Sequence, residues 1–310
     1  MSDRKDHLDA LAVTLLIGCC ALWGLNQVAT KVALADVPPL TQAALRSAGA
    51  ALLLWGWSMH RGVPLWNRDG TLGAGLLAGL LFGLEFGAMF IGLQHTTASR
   101  MIVFLYLAPF VVALGMPFIA RSERLDRWQG LGLVVAFGGV VWAFSEGLGR
   151  GTGSLQGLGD ALGIVAAVLW GLTTLVMRAS RLATAPPEKT LLYQLAVSAL
   201  ALGAAAWLAD ERWAAQVRPL SWGAIGFQTV IVTFASYLTW FWLVRHYPAT
   251  RISAFTLLTP VFGLLAGVLL LGEPATPRLL TALAAVSCGI ALVNRIGRRA
   301  TSQSLEEPDR

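Results

Sequence analysis

Histidine, arginine and proline recur at one fixed spacing in two places along this chain. Residues 95–109 read HTTASRMIVFLYLAP and residues 246–260 read HYPATRISAFTLLTP. The two stretches align without a gap and share six of fifteen positions: His95/His246, Ala98/Ala249, Arg100/Arg251, Phe104/Phe255, Leu107/Leu258 and Pro109/Pro260. Paired histidines beside arginines raise the question of a shared metal or a catalytic pair. Whether they can meet depends on the elements that carry them.

Those elements are apolar. The chain has 310 residues, of which 56% are hydrophobic and 13% charged, and its mean hydropathy is +0.65. Soluble domains carry roughly 25% charged residues, so about half the usual charge is missing. Apolar runs of bilayer-spanning length fall near 11–34, 40–58, 71–93, 99–119, 128–145, 158–179, 187–209, 220–244, 251–271 and 278–296. The reading is an all-α integral membrane protein of ten transmembrane helices. The pI near 9.7 does not indicate nucleic acid, because the basic residues form no patch and recur at span ends. Cys19, Cys20 and Cys288 lie inside spans without a CxxC motif, so neither a disulfide framework nor a thiolate metal site is indicated.

Charge sets the orientation. Sixteen Lys and Arg fall on the side that holds both termini and six on the other, with Arg46 inside a span. The positive-inside rule then places both termini in the cytoplasm. Ala33-Leu34-Ala35 resembles a signal-peptide cleavage site. The polar residues Asn26, Gln27 and Lys31 just before it, and the later echo of this segment, argue that it is a true first span. His95 and His246 then end spans on opposite sides of the membrane. They cannot share a metal, and no metal site or cofactor is expected.

The duplication extends further. Trp23-Gly24-Leu25 returns as Trp170-Gly171-Leu172, Pro38-Pro39 as Pro186-Pro187, Glu123 as Glu273 and Gly139 as Gly289, at offsets of 147 to 150 residues. The expected organisation is a first five-helix repeat at 1–147, a second at 148–296 and a cytoplasmic tail at 297–310. Five is odd, so the second copy enters the membrane inverted. Inverted repeats characterise transporters that alternate access around a central midplane site.

The same residues carry a family resemblance. WGLN in span 1, Arg46 followed by SAGA in span 2, and TTASR…AP…E in spans 4 and 5 with its echo PATR…TP…GE resemble the drug/metabolite transporter superfamily. The fit is closest to its EamA branch and covers essentially the whole chain; within it the pattern is most similar to YddG-type amino-acid exporters. The resemblance implies two inverted five-helix halves around a central cavity, in a bacterial inner membrane, exporting small metabolites. Glu85 departs from the general pattern of that family.

Ionisable residues inside a span cost about 2.5–3.5 kcal/mol each at its centre, so they need a partner or a watery cavity. Arg46 is expected ~9 Å and Glu85 ~12 Å from the outer ends of spans 2 and 3, with Asn26 of span 1 at a similar depth. Together they offer one positive and one negative group, complementary to a zwitterion; the competing reading is an Arg–Glu pair that locks two helices. Trp23 and Trp170 fall mid-span at equivalent places, and Tyr237 lies in span 8, so these rings are candidates for a cavity wall or for packing between the halves. The candidate substrate-binding residues are therefore Trp23, Asn26, Arg46, Glu85, Trp170 and Tyr237. Pro109 and Pro260 are candidate hinges. Gly75, Gly79, Gly83 and Gly87 form a stripe for close helix packing.

The expected function is secondary export of small metabolites, most readily aromatic and other neutral amino acids, by alternating access. The expected partners are the substrate and the lipid bilayer, and a monomer suffices. Other cargo (drugs or organic cations, nucleosides, sugar derivatives) and a channel remain alternatives. An anionic sugar-phosphate would require more buried cations than Arg46 alone. The chain contains neither HExxH nor GxSxG, so no enzyme is expected.

Overall fold

The computed structural model describes residues 9–119, 127–148, 155–247, 255–256 and 258–295. Among these residues the regular elements are all helices, with no strand. They are α1 (Ala10–Ala33), α2 (Pro39–His60), α3 (Leu72–His95), α4 (Ala98–Leu105), α5 (Ala108–Ile119), α6 (Arg127–Leu148), α7 (Gln156–Ala179), α8 (Pro187–Leu208), α9 (Pro219–Gly226), a π-helical segment (Phe227–Ser236), α10 (Tyr237–His246), α11 (Leu258–Leu271) and α12 (Pro277–Arg295). Six runs are long and apolar enough to cross a membrane: Ala10–Ala33, Leu72–His95, Ala98–Ile119, Gln156–Ala179, Pro187–Leu208 and Pro219–Leu243. α11 and parts of α6 and α12 are apolar but shorter. α2 is long enough at 22 residues, but Gln42, Arg46, Ser47 and Ser58 lower its hydropathy, and all four face inward.

Local chemistry starts and breaks these helices. Pro39, Pro187 and Pro219 open α2, α8 and α9, where a missing N–H costs nothing. The starts of α2 and α4 are also capped from far along the chain. Glu211 accepts from the Leu40 and Thr41 N–H groups at 3.1 and 2.8 Å, and Glu273 from the Ala98 and Ser99 N–H groups at 2.7 and 2.9 Å. Each carboxylate satisfies orphan donors at the positive end of a helix dipole. The α4–α5 rod is interrupted after Leu105, the residue whose carbonyl the Pro109 ring would strike. Pro260 stands in the first turn of α11.

Small residues set the packing. A β-carbon on Gly75, Gly79 or Gly83 would stand 2.5, 2.6 or 3.2 Å from Tyr193, Tyr193 O or Ser198 Cα. The α3 stripe is thus a close-packed seam against α8. The two Trp-Gly-Leu copies do one job twice: Gly24 admits Phe262 and Gly263 of α11, and Gly171 admits Val111 of α5. Phe262 lies 151 residues after Val111. Ser47 of α2 and Ser198 of α8, also 151 apart, hydrogen-bond to each other at 3.0 Å. Helix neighbours follow the same reciprocity: α1 packs on α11 as α7 packs on α4 and α5, while α2 meets α8 and α6 meets α12.

Candidate functional site

Four elements gather a set of buried polar side chains. α2 packs on α3 and on the π segment, and α1 packs on α3 and on the π segment. Arg46 projects from α2 with no exposed surface, and none of its Nε, Nη1 and Nη2 atoms has a hydrogen-bond partner among the described residues. Its guanidinium lies over the Phe86 ring at 3.7 Å and near Phe90 at 5.6 Å. Glu85, next to Phe86 on α3, is buried, and its Oε2 has no partner among the described residues. The two charges do not meet as an ion pair, so the locking pair is not made. Asn26 contributes an unpartnered Oδ1 from α1, and Gln228 contributes both polar atoms of its amide from the π segment.

An unpaired ion in an apolar interior costs several kcal/mol even after relaxation. A ring face recovers part of this, about 2 kcal/mol for a desolvated cation–π contact. The remainder requires a partner from outside the chain. The neighbouring orphans supply both polarities: donors on Arg46 and Gln228, acceptors on Glu85, Asn26 and Gln228.

Aromatic rings border this cluster. Trp23 donates its indole N–H to Ser236 Oγ at 2.8 Å and stands edge-on to Tyr237 and Trp240, with centroids at 6.4 and 5.3 Å. The structure therefore brings Trp23, Asn26, Arg46, Glu85 and Tyr237 to adjoining elements. Trp170 is not in ring contact with them; it stands edge-on to Tyr106 at 6.0 Å and is 37% exposed.

A second buried polar group lies at the ends of α3, α4 and α7. Arg100 donates to both Asp160 oxygens, with Nη2–Oδ2 at 2.6 Å, and to the Ala143 carbonyl at 2.7 Å. Thr96 donates to the same Asp160, and Lys31 donates to the Thr96 carbonyl at 2.6 Å. A counterpart at the same sequence offset joins Asp9, the N-cap of α1, to the Tyr247 hydroxyl at 2.9 Å. Asp9 precedes Asp160, and Thr96 precedes Tyr247, by 151 residues. His95 and His246 do end α3 and α10, and His246 stacks on Trp242. Arg251 and Glu123 lie outside the described residues.

Loop carboxylates tie the helix ends. Hydrogen bonds from Ser221 and Arg218 hold the Asp36 carboxyl below the usual carboxylate range, and a bond from Lys189 at 2.8 Å does the same for Asp69.

Sequence reasoning missed Asp160, Gln228 and Thr233. Asp160 sits one turn inside α7 and reads as an ordinary helix-end acid until Arg100 is placed against it. Gln228 and Thr233 are five residues apart, about 140° on a regular helix of 3.6 residues per turn. Only i→i+5 winding draws them towards one face.

A helical bundle of apolar rods around a buried polar cluster fits a membrane transporter, and comparison with known proteins agrees. The EamA-like transporter family model matches residues 10–145 and again 157–295, so the chain belongs to that family. An uncharacterized transporter, YvbV, of Bacillus subtilis (strain 168) is 27% identical over 287 residues, covering 90% of each chain. A probable amino-acid metabolite efflux pump of Salmonella typhimurium is 28% identical over 306 residues, covering 96% of each. A crystal structure covers 93% of this chain and 99% of its own, at 22% identity and a TM-score of 0.66, a likeness of fold.

Proposed function

We propose that this protein is a secondary carrier exporting small zwitterionic metabolites, amino acids with apolar or aromatic side chains first among them. The observation that carries the reading is Arg46: a fully buried guanidinium whose three nitrogens have no partner among the described residues, bedded on Phe86, the residue after Glu85. A free α-amino acid supplies the carboxylate that Arg46 lacks and the ammonium that Glu85 lacks, and its side chain finds aromatic surface. The names of the Salmonella typhimurium and Escherichia coli relatives, probable amino-acid metabolite efflux pumps, support the same cargo.

The carrier has ten spans in two inverted five-helix halves, residues 1–147 and 148–296, in a bacterial inner membrane with both termini cytoplasmic. The twofold match of the family model and the reciprocal contacts of Gly24 and Gly171 support this arrangement. Rocking of the halves, with Pro109 and Pro260 as hinges, exposes the cluster to each side in turn. Trp23, Asn26, Arg46, Glu85 and Tyr237 bind substrate, and Trp170 lines the path beside Tyr106.

Counterflow in proteoliposomes tests this reading. Vesicles holding unlabelled amino acids are diluted into labelled phenylalanine, methionine, threonine or lysine. Transient accumulation of phenylalanine and methionine, lost in Arg46→Ala and Trp23→Ala, is expected. Accumulation that survives both changes would remove the site, and none of any label would remove amino acids as cargo.

A further inference from the structure

The π-helical stretch Phe227–Ser236 is given no substrate contact in the proposed function, although ten residues of i→i+5 winding is unusual and such winding concentrates at functional sites. Its buried face carries Gln228, Val232, Thr233 and Ser236. Neighbours fix the level of Gln228. Ala224 and Ile225, just before it, pack with Ala29 and Ala33 of α1, and Ser236, beyond it, takes the Trp23 hydrogen bond. Thr229 abuts Gly49 of α2, where a β-carbon would stand 2.7 Å from Thr229 Cγ2. Arg46 is one helical turn from Gly49, so Gln228 and Arg46 lie within about a turn of each other along neighbouring rods.

Gln228 and Thr233 are both fully buried, and Gln228 Nε2, Gln228 Oε1 and Thr233 Oγ1 are all unpartnered. Burying an amide without a hydrogen bond is unfavourable in proteins. Hydrophobic residues would fill the same space without that cost. The absence of a Cβ at Gly49 lets the π segment approach α2 closely at Thr229, the residue next to Gln228.

Resting on the carrier reading, we propose that the π segment is the specificity wall of the binding site. Gln228 and Arg46 together take the substrate's carboxylate: the guanidinium supplies charge and the Gln228 Nε2–H a second donor. Thr233, on the same segment, supplies a further hydroxyl to the polar end of the ligand. The ligand class is an α-amino acid with both groups free, the ammonium facing Glu85 and Asn26. A ligand without its carboxylate leaves Gln228 and Arg46 unpaired again, which is the larger penalty.

The full chain, with Cys19, Cys20 and Cys288 replaced by alanine, carries the test in proteoliposomes. Gln228→Cys is exposed to the water-soluble thiol reagent sulfonatoethyl methanethiosulfonate, with and without L-phenylalanine. Gln228→Leu, of similar volume, is assayed for phenylalanine counterflow and for competition by phenylpropionate and phenethylamine. Labelling of Gln228→Cys that phenylalanine slows is expected. For Gln228→Leu, the KM for phenylalanine and the inhibition constant of phenylpropionate should each rise about tenfold, with maximal rate retained and phenethylamine competition unchanged. Gln228→Asn should recover part of the loss.

A cysteine that does not react, or reacts without protection, overturns the inference. So does a Gln228→Leu variant with unchanged KM, or one weakened equally towards phenethylamine, which marks a packing role. The two readings fail separately. Protected labelling without counterflow in the parent protein keeps the site and removes the carrier function. Counterflow indifferent to Gln228 keeps the carrier and removes the site.

Discussion

Arg46 and Arg100 are both buried arginines, and their surroundings make opposite demands. Arg100 is matched: Asp160 and the Ala143 carbonyl take its N–H groups, and Asp160 takes a further bond from Thr96. Removing one partner of such a pair costs about 3–5 kcal/mol, because the other charge stays buried. Asp160→Asn should therefore lower unfolding stability in micelles by that order, and Arg100→Met added to it should recover part. Arg46 is unmatched, so Arg46→Met should leave stability equal or higher while abolishing phenylalanine counterflow. A fall in melting temperature for Arg46→Met comparable to that of Asp160→Asn would mean that Arg46 is structural. Such opposition between stability and activity is expected where a site holds polar groups ready for a ligand.

At the scale of elements, glycine decides how near two rods come. Gly79 of α3 faces the Tyr193 carbonyl and Val197, and any side chain there must push α8 away. Gly79→Leu should cost about 1–3 kcal/mol through overpacking, read as a lower midpoint of thermal unfolding. Gly18 of α1 has nothing within 4 Å of its virtual β-carbon. Gly18→Ala should be neutral or stabilise by roughly 0.5–1 kcal/mol, since alanine loses less entropy in a helix. If both changes behaved alike, close packing would not be the reason for the α3 stripe. The interrupted α4–α5 rod and the proline in the first turn of α11 show the same local rule at work in two places.

For the whole molecule, connections between distant helix ends matter. Asp69, between α2 and α3, binds Lys189 at the start of α8, and Arg181 reaches the Asp69 carbonyl. Hydrogen bonding by Lys189 lowers the folded pKa of Asp69. Its stabilising contribution is therefore whole above the unfolded value of about 3.9 and is lost as pH falls through the folded value. The melting-temperature gap between the parent and Asp69→Asn should be steady near neutrality and shrink in acid; a gap that widened in acid would contradict the linkage. If the halves rock, a disulfide placed between the Asp69 connection and the first turn of α8 should stop counterflow, and reduction should restore it. Full transport by the locked form would remove alternating access.

Helix positions, the membrane class, the family and the duplicated residues could all be read from the chain itself, because they rest on local quantities: apolar run length, proline, and residue identity at fixed offsets. Arg46, Glu85 and Asn26 were legible for the same reason, as polar residues standing out in apolar runs. Their relation was not. Whether Arg46 meets Glu85, or Arg100 meets Asp160, depends on which helices lie side by side and how each is rotated, and partners 60 residues apart leave no mark at 3.6-residue spacing. Only the tertiary structure could separate the satisfied arginine from the unsatisfied one. It alone placed Gln228 and Thr233 together on one buried face, since π winding turns a face that periodicity assigns elsewhere.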